Sequence, residues 1–255
     1  MILQKFALYP YSEETTQLYM KTTDDVVTDK EKVELKTLAK VNLETYFNLF
    51  SCLKWKKYVG VESVYLRLKL NGIVKVKIDH LQVKDGDVER HGVLDEEIQS
   101  DASGYVTSNE FTLPEKGMLG VMIEAVSESV LYEVDFSTDQ TGMEENDICI
   151  GIGICTFKRE KYVERNINLL KEGILNNPAA EAYDHIKICI SDNAGTLEPE
   201  KIENPEIHVV KNKNLGGVGG FTRTMLEYLN GEEKISHVLL MDDDAIILPE
   251  TIERN

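Results

Sequence analysis

The chain has 255 residues, 42% of them hydrophobic and 29% charged, an ordinary globular composition with room for one or two domains. Its net charge of −17 excludes a nucleic-acid partner gripped through the phosphate backbone, which calls for Lys and Arg; a small phosphate-bearing ligand held through a metal stays open. No run approaches the roughly 20 apolar residues of a membrane span, and the N-terminus lacks a secretory signal pattern. The four cysteines, Cys52, Cys149, Cys155 and Cys189, show no metal-type pairing. Three lie in apolar runs, and all read as reduced residues of a cytoplasmic protein.

Residues 1–145 read as an all-β domain, an antiparallel sandwich or barrel. An aromatic and basic stretch comes first, Tyr46-Phe47-Asn48-Leu49-Phe50 and then Trp55-Lys56-Lys57-Tyr58. It either plugs the end of a sandwich or offers contacts to sugar rings, lipid or an acceptor. Val64, Leu66, Leu68 and Leu70 then alternate with polar residues, the two-residue period of a half-buried strand. Asn71-Gly72 follows, and Val74, Val76 and Ile78 alternate again, so a hairpin turn is expected there. Asp85-Gly86 repeats the signal. Val121, Ile123 and Ala125 predict a further strand; Val130, Tyr132, Val134 and Phe136 predict another with those four on one face. His80 and His91 have no partner at ligand spacing. The polar run Ser137–Asp147 reads as a linker, with a boundary near residue 145.

Residues 146–255 change character. Apolar runs at Ile148–Ile154, Ile186–Ile190, Ile207–Val210 and Val238–Met241 read as buried parallel strands. Helical spacing appears over Glu160–Leu175, through Val163, Ile167, Leu170 and Ile174, and over Gly220–Leu229. Alternating strands and helices imply a parallel sheet with right-handed crossovers. Each strand ends in a polar cluster: Thr156/Lys158/Arg159, Asp192/Asn193, Asn212/Asn214, then Asp242-Asp243-Asp244. Ligands of open α/β sheets sit at the carboxyl ends of strands, so four such clusters would form one crevice. The histidines His185, His208 and His237 flank strands and read as structural.

Three adjacent carboxylates repel one another where a strand leaves the core, so something cationic should offset them. Side chains two apart in extended chain point the same way, so Asp242 and Asp244 can converge while Asp243 faces elsewhere. Oxygen-only ligands suit a hard divalent ion, Mg²⁺ or Mn²⁺; a solvated acidic loop is the plain alternative. The glycines of Asn214-Leu-Gly-Gly-Val-Gly-Gly-Phe221 precede a helix, where backbone amides can meet an anion. A dinucleotide-binding fingerprint would put glycine in the first strand-to-helix turn. That turn here is Cys155-Thr-Phe-Lys-Arg159, without glycine, and no Gly-Lys-Ser/Thr occurs.

Together Ile154-Cys-Thr-Phe-Lys-Arg159, Ser191-Asp-Asn193, Asn214–Arg223 and Asp242-Asp-Asp-Ala245 resemble the GT-A glycosyltransferases of family 2, in particular the polymerising galactofuranosyltransferases of bacterial surface glycans. Thr45–Phe50 with Trp55 is similar to that subfamily's N-terminal β domain. The resemblance implies an α/β chain: a β-sandwich (1–145) followed by the nucleotide-sugar half of a GT-A domain (146–255). It implies that Thr156, Phe157 and Arg159 cradle uracil, ribose or phosphate, with Asp192 and the adjoining Asn193 at the uracil edge. Asn214, Gly216 and Gly217 would lie against the sugar diphosphate. Asp242 and Asp243 would complete the nucleotide-sugar contacts, with Asp242 and Asp244 as the metal pair for Mn²⁺ or Mg²⁺.

The implied reaction is metal-dependent transfer, with inversion, of galactofuranose from UDP-galactofuranose to a lipid-linked or polymeric cell-surface glycan. That places the protein in the cytoplasm, with a peripheral contact at the inner membrane face and a homo-oligomer both compatible with it. Members of the family extend well past Asn255, where the catalytic base, a histidine metal ligand and the acceptor pocket are expected. This chain alone is therefore expected to be truncated and inactive. The competing expectations are a non-catalytic carbohydrate-binding or assembly module, and a family 2 transferase for rhamnose or another hexose.

Overall fold

A computed structural model describes residues 1–10, 13–29, 31–101, 103–142 and 147–253. The chain divides into two compact units, Met1–Glu144 and Glu145–Asn255. The boundary expected near residue 145 lies outside the described residues, as does part of the expected linker. Of that linker, Ser137 still belongs to a strand, and Thr138 is buried with its amide on the Met1 carbonyl at 3.0 Å.

The first unit is built around one long strand, β1 (Ser63–Lys84). Strand β2 (Asp87–Asp101) and two short strands at 106–107 and 111–112 run along one edge of it. Strands β3 (Met118–Ala125) and β4 (Ser129–Ser137) run along the other. Among the described residues, three short antiparallel strands extend the sheet beyond each of β3 and β4. Every second side chain of β1, Val64 to Leu70 and Val74 to Ile78, is fully buried in a single cluster. The two halves of the sheet share that core, so they close over each other as a sandwich.

Asp85-Gly86 makes the expected two-residue hairpin turn, with φ of 53° and 92° and Lys84 opposite Asp87. Asn71-Gly72 makes none: β1 continues through it. Gly72 takes φ 115° and packs so closely on Ser129 Oγ that a side chain has no room. The Ile73 amide there donates to Ser127 Oγ and Ser129 Oγ, each at 3.1 Å. It is the neighbouring chain, between β3 and β4, that changes direction. In β4 a bulge between Leu131 and Glu133 shifts the alternation. Leu131, Val134 and Phe136 therefore face inward, while Val130 and Tyr132 are only half-buried. The aromatic stretch plugs the core: Phe47 and Phe50 are buried, Phe50 stacks on Trp55 at 5.8 Å, and Tyr46 and Tyr58 stay exposed.

The second unit has four parallel strands, β5 (Ile150–Thr156), β6 (Ile186–Asp192), β7 (Ile207–Lys211) and β8 (His237–Asp242), in the order β7-β6-β5-β8. Helix α1 (Glu160–Leu170) buries the stripe Val163, Ile167 and Leu170, and Ile174 continues it in the following turn. Each such aliphatic side chain contributes about 1.5–3 kcal/mol on burial. Helix α2 (Gly216–Asn230) covers the other face of the sheet. It lies flat because Gly151 and Gly153 of β5 leave room for Tyr228 and Thr224. The Tyr228 hydroxyl pins it by donating to the Ile152 carbonyl at 2.7 Å. A short helix, α3 (Pro249–Glu253), follows β8. From β5 the chain builds outward to β6 and β7, then returns to place β8 on β5's other side. The order reverses between β5 and β8, where such sheets open a crevice.

Candidate functional site

Strand alternation sorts the residues at this crevice into two groups. Register pairs Thr156 with Asp192 and Cys155 with Asp242. Thr156, Asp192 and Asp243 therefore project on the α1 side, and Cys155 and Asp242 on the α2 side.

The α1-side group is bonded together. Asp243, 7% exposed, accepts from Thr156 Oγ1 at 2.8 Å and from Arg159 Nη1 at 3.3 Å. The same guanidinium nitrogen donates to Asp244 Oδ2. Asp244 thereby holds Arg159 firmly protonated, its pKa raised above the usual arginine range, with Asp243 adding to the effect. This is the cation that the triplet needs. Arg159 reaches it because Lys158 takes the left-handed φ of 56°, a strain of roughly 1–2 kcal/mol for a residue with a side chain. Two residues that sequence reasoning passed over fix the backbone. Asn166 Nδ2 donates to the Asp243 carbonyl at 3.0 Å, and Arg165 Nη2 to the Ala245 carbonyl at 2.8 Å. Asn166 is fully buried on α1 between Val163 and Ile167. A polar residue in the middle of an apolar stripe was the available signal.

Asp192 is buried, and both its oxygens accept backbone amides: Ala194 at 3.0 Å and Gly195 at 2.8 Å on one, Leu197 at 2.9 Å on the other. It shapes the loop that leaves β6. Asn193 crosses to the α2 side. Its Nδ2 lies 3.3 Å from both Cys155 Sγ and the Gly216 carbonyl, and its Oδ1 accepts from Asn212 at 2.9 Å. Asn193 thus ties the ends of β5 and β6 to the start of α2. Phe157, at the mouth, is 45% exposed.

The glycine stretch is not a loop ahead of the helix; it is the helix's first turn. Gly216 starts α2 at φ 71°, and Asn214 Oδ1 accepts its amide at 3.2 Å. Asn214, Gly216 and Gly217 are exposed. Gly220 packs directly on Cys155 Sγ, so a side chain there would push α2 off the sheet. That close packing raises the Cys155 thiol pKa by burial. Local glycine content hides only the first turn of the helix expected over Gly220–Leu229, because glycine disfavours helix interiors; here it permits contact with β5.

Asp242 is exposed and, among the described residues, its carboxylate has no hydrogen-bonding or ion-pair partner. Asp244 is exposed as well, and shared with Arg159. Among the described residues no three His, Cys, Asp or Glu side chains are grouped to hold a metal ion by themselves. Two oxygen donors two residues apart, one of them unengaged, still suit a hard divalent cation whose remaining ligands would come from water and a bound diphosphate. The donor chemistry fits.

All four cysteines are free, with Cys52 and Cys189 buried. No helix among the described residues is long and apolar enough to cross a membrane. His80 and His91, without a partner at ligand spacing in the sequence, are cross-strand neighbours with ring centroids 6.4 Å apart.

Comparison with known proteins bears on this arrangement. A family model described as the N-terminal domain of galactofuranosyltransferase 2 matches residues 4–134, and one for glycosyl transferase family 2 matches residues 151–254. The galactofuranosyltransferase GlfT2 of Mycobacterium tuberculosis is 24% identical over 238 residues, covering 85% of this chain and 34% of its own length. The GlfT2 of Mycolicibacterium smegmatis is 22% identical over 226 residues, covering 87% and 34%. The chain thus spans about a third of the length of the curated relatives it matches.

Proposed function

Because the chain belongs to the galactofuranosyltransferase 2 family, with that family's N-terminal domain ahead of a family 2 glycosyltransferase domain, we propose that its second unit is the donor-nucleotide half of an inverting transferase that uses UDP-galactofuranose. One observation carries the reading: groups from the ends of β5, β6 and β8 and the start of α2 converge where the strand order reverses. Thr156, Phe157, Asp192 and Asn193 line the part that takes uracil and ribose. Arg159 neutralises a phosphate. The amide of Gly217, at the positive end of α2, faces the diphosphate, and Asn214, which accepts the Gly216 amide, orders the turn ahead of it. Asp242 and Asp244 hold Mn²⁺ or Mg²⁺. When bound, such an ion supplies Lewis-acid stabilisation of the charge on the departing diphosphate.

The acceptor is a hydroxyl of a growing, lipid-linked or polymeric glycan at the inner membrane face. Its deprotonated oxygen forms a bond to the anomeric carbon as that carbon's bond to the β-phosphate breaks, and the configuration inverts. The three aspartates act on the donor side, and none is assigned as the base.

Nucleotide selectivity tests the reading. Saturation-transfer NMR of the chain with Mg²⁺ and UDP-galactofuranose should give strong uracil and ribose signals. Equal signals from GDP-mannose, or none from the UDP-sugar, would remove it.

A further inference from the structure

Arg159 lies against two of the three adjacent carboxylates. Its Nη1 bridges Asp243 Oδ1 at 3.3 Å and Asp244 Oδ2, so one of the two exposed metal-pair carboxylates already has a counter-ion. The two carboxylates differ in what holds them. Asp243 is buried and keeps Thr156 Oγ1 at 2.8 Å whatever Arg159 does. Asp244 is half exposed, and Arg159 is its side chain's partner. The loop carrying them is clamped from α1 by backbone bonds, Asn166 to the Asp243 carbonyl and Arg165 to the Asp244 and Ala245 carbonyls. Moving Arg159 therefore frees Asp244 without displacing the loop. The Arg159 side chain is itself 48% exposed, so it can swing. A guanidinium binds phosphate oxygens at least as well as carboxylate, through the same fork of donors.

We propose that Arg159 is an exchangeable counter-ion that makes cation binding depend on diphosphate binding. Without nucleotide it blocks Asp244 and adds a positive charge to the site, and the divalent ion binds weakly. When a nucleoside diphosphate arrives, Arg159 transfers to its phosphate oxygens, and Asp244 joins Asp242 as a ligand. The inference rests on the nucleotide-sugar reading above and adds an order of binding to it: the diphosphate comes before, or together with, the cation.

The test is titration of the full chain with Mn²⁺, followed by the electron paramagnetic resonance of free Mn²⁺, with and without saturating UDP. Wild-type protein should bind Mn²⁺ weakly alone and at least about tenfold tighter with UDP. Arg159→Gln should bind Mn²⁺ alone at least about fivefold tighter than wild type, from the loss of a repelling charge and a competing partner. The gain from UDP should shrink in that variant. Arg159→Lys keeps the charge, but its ammonium is more strongly hydrated and sits on a shorter stem, so it holds Asp244 less firmly and should fall between the two. It carries the test if the glutamine variant fails to fold by circular dichroism. Unchanged or weaker binding of Mn²⁺ alone in the folded variants, with UDP still bound by the wild type, overturns the exchange and leaves the nucleotide reading standing. Absence of UDP binding to the wild type at saturating Mn²⁺ overturns both.

Discussion

Of the three adjacent aspartates, the middle one is an anchor and its neighbours are not, and that difference is measurable as stability. Asp243→Ala removes the acceptor of Thr156 Oγ1, a hydroxyl on a residue only 2% exposed. Leaving that hydroxyl unsatisfied costs about 1–3 kcal/mol. The pair with the half-exposed Arg159 adds little after screening. The truncated side chain also empties space beside α1, so about 2–4 kcal/mol is expected in all. In a unit running from Glu145 to Asn255, 1 kcal/mol moves the melting midpoint by about 4 °C, so a drop of about 8–16 °C follows. Asp242→Ala, at an exposed carboxylate with no partner among the described residues, should stay within about 0.5 kcal/mol. Circular dichroism at 222 nm is the assay, since α1 and α2 dominate the helical signal. Trp55, the chain's one tryptophan, lies in the β unit and cannot stand in for it. Equal melting of the Asp242 and Asp243 variants would refute the division of roles.

Other consequences follow from the same packing. Gly72→Ala forces a side chain onto φ 115° against Ser129; urea unfolding should show a loss of about 1–3 kcal/mol. Gly220→Ala should lower the 222 nm midpoint by pressing on Cys155, and adding Cys155→Ala should recover part of it, because Sγ is the nearest atom. Burial pushes the Cys52 and Cys189 thiols from 9.0 up to about 12. The folded chain then keeps protons that the unfolded chain releases, so this contribution to stability is full below pH 9 and is lost as pH rises from about 9 to 12. Thiol labelling with Ellman's reagent at pH 8 should accordingly reach Cys149 and Cys155 first, and Cys52 and Cys189 only on unfolding.

Strands β5 and β6 could be read from sequence because central parallel strands are dominated by apolar residues, as in Ile150–Ile154 and in Ile186–Ile190, broken only by Lys187; β8, expected as a buried strand, ends the sheet and leaves Val238 43% and Leu240 45% exposed. Their order could be anticipated only as alternation; that β8 returns beside β5 is a tertiary fact. It is what brings Thr156 and Arg159 to the aspartates. The exposure of Asp242 and Asp244 and the burial of Asp243 follow from a two-residue period that any reader of the triplet can apply. That Asp192 is saturated by three amides was not visible, because a carboxylate capping a loop and one awaiting a ligand have the same sequence. Asn71-Gly72 misled for a related reason. Gly tolerates positive φ in a hairpin turn and equally in a bend through a continuous strand, and only the serines on the neighbouring chain decide between them. Arg165 and Asn166 support the site through backbone carbonyls, a contact that carries no residue pattern.

The central claim is that this crevice binds a uridine diphosphate through a metal at Asp242. Isothermal titration of the chain with UDP, in Mn²⁺ and then in excess EDTA, tests it most directly when repeated on Asp242→Ala. The account expects metal-dependent binding by the wild type, and at least a tenfold loss in a variant that melts like the wild type. UDP binding of equal strength in EDTA, or undiminished in Asp242→Ala, would contradict it.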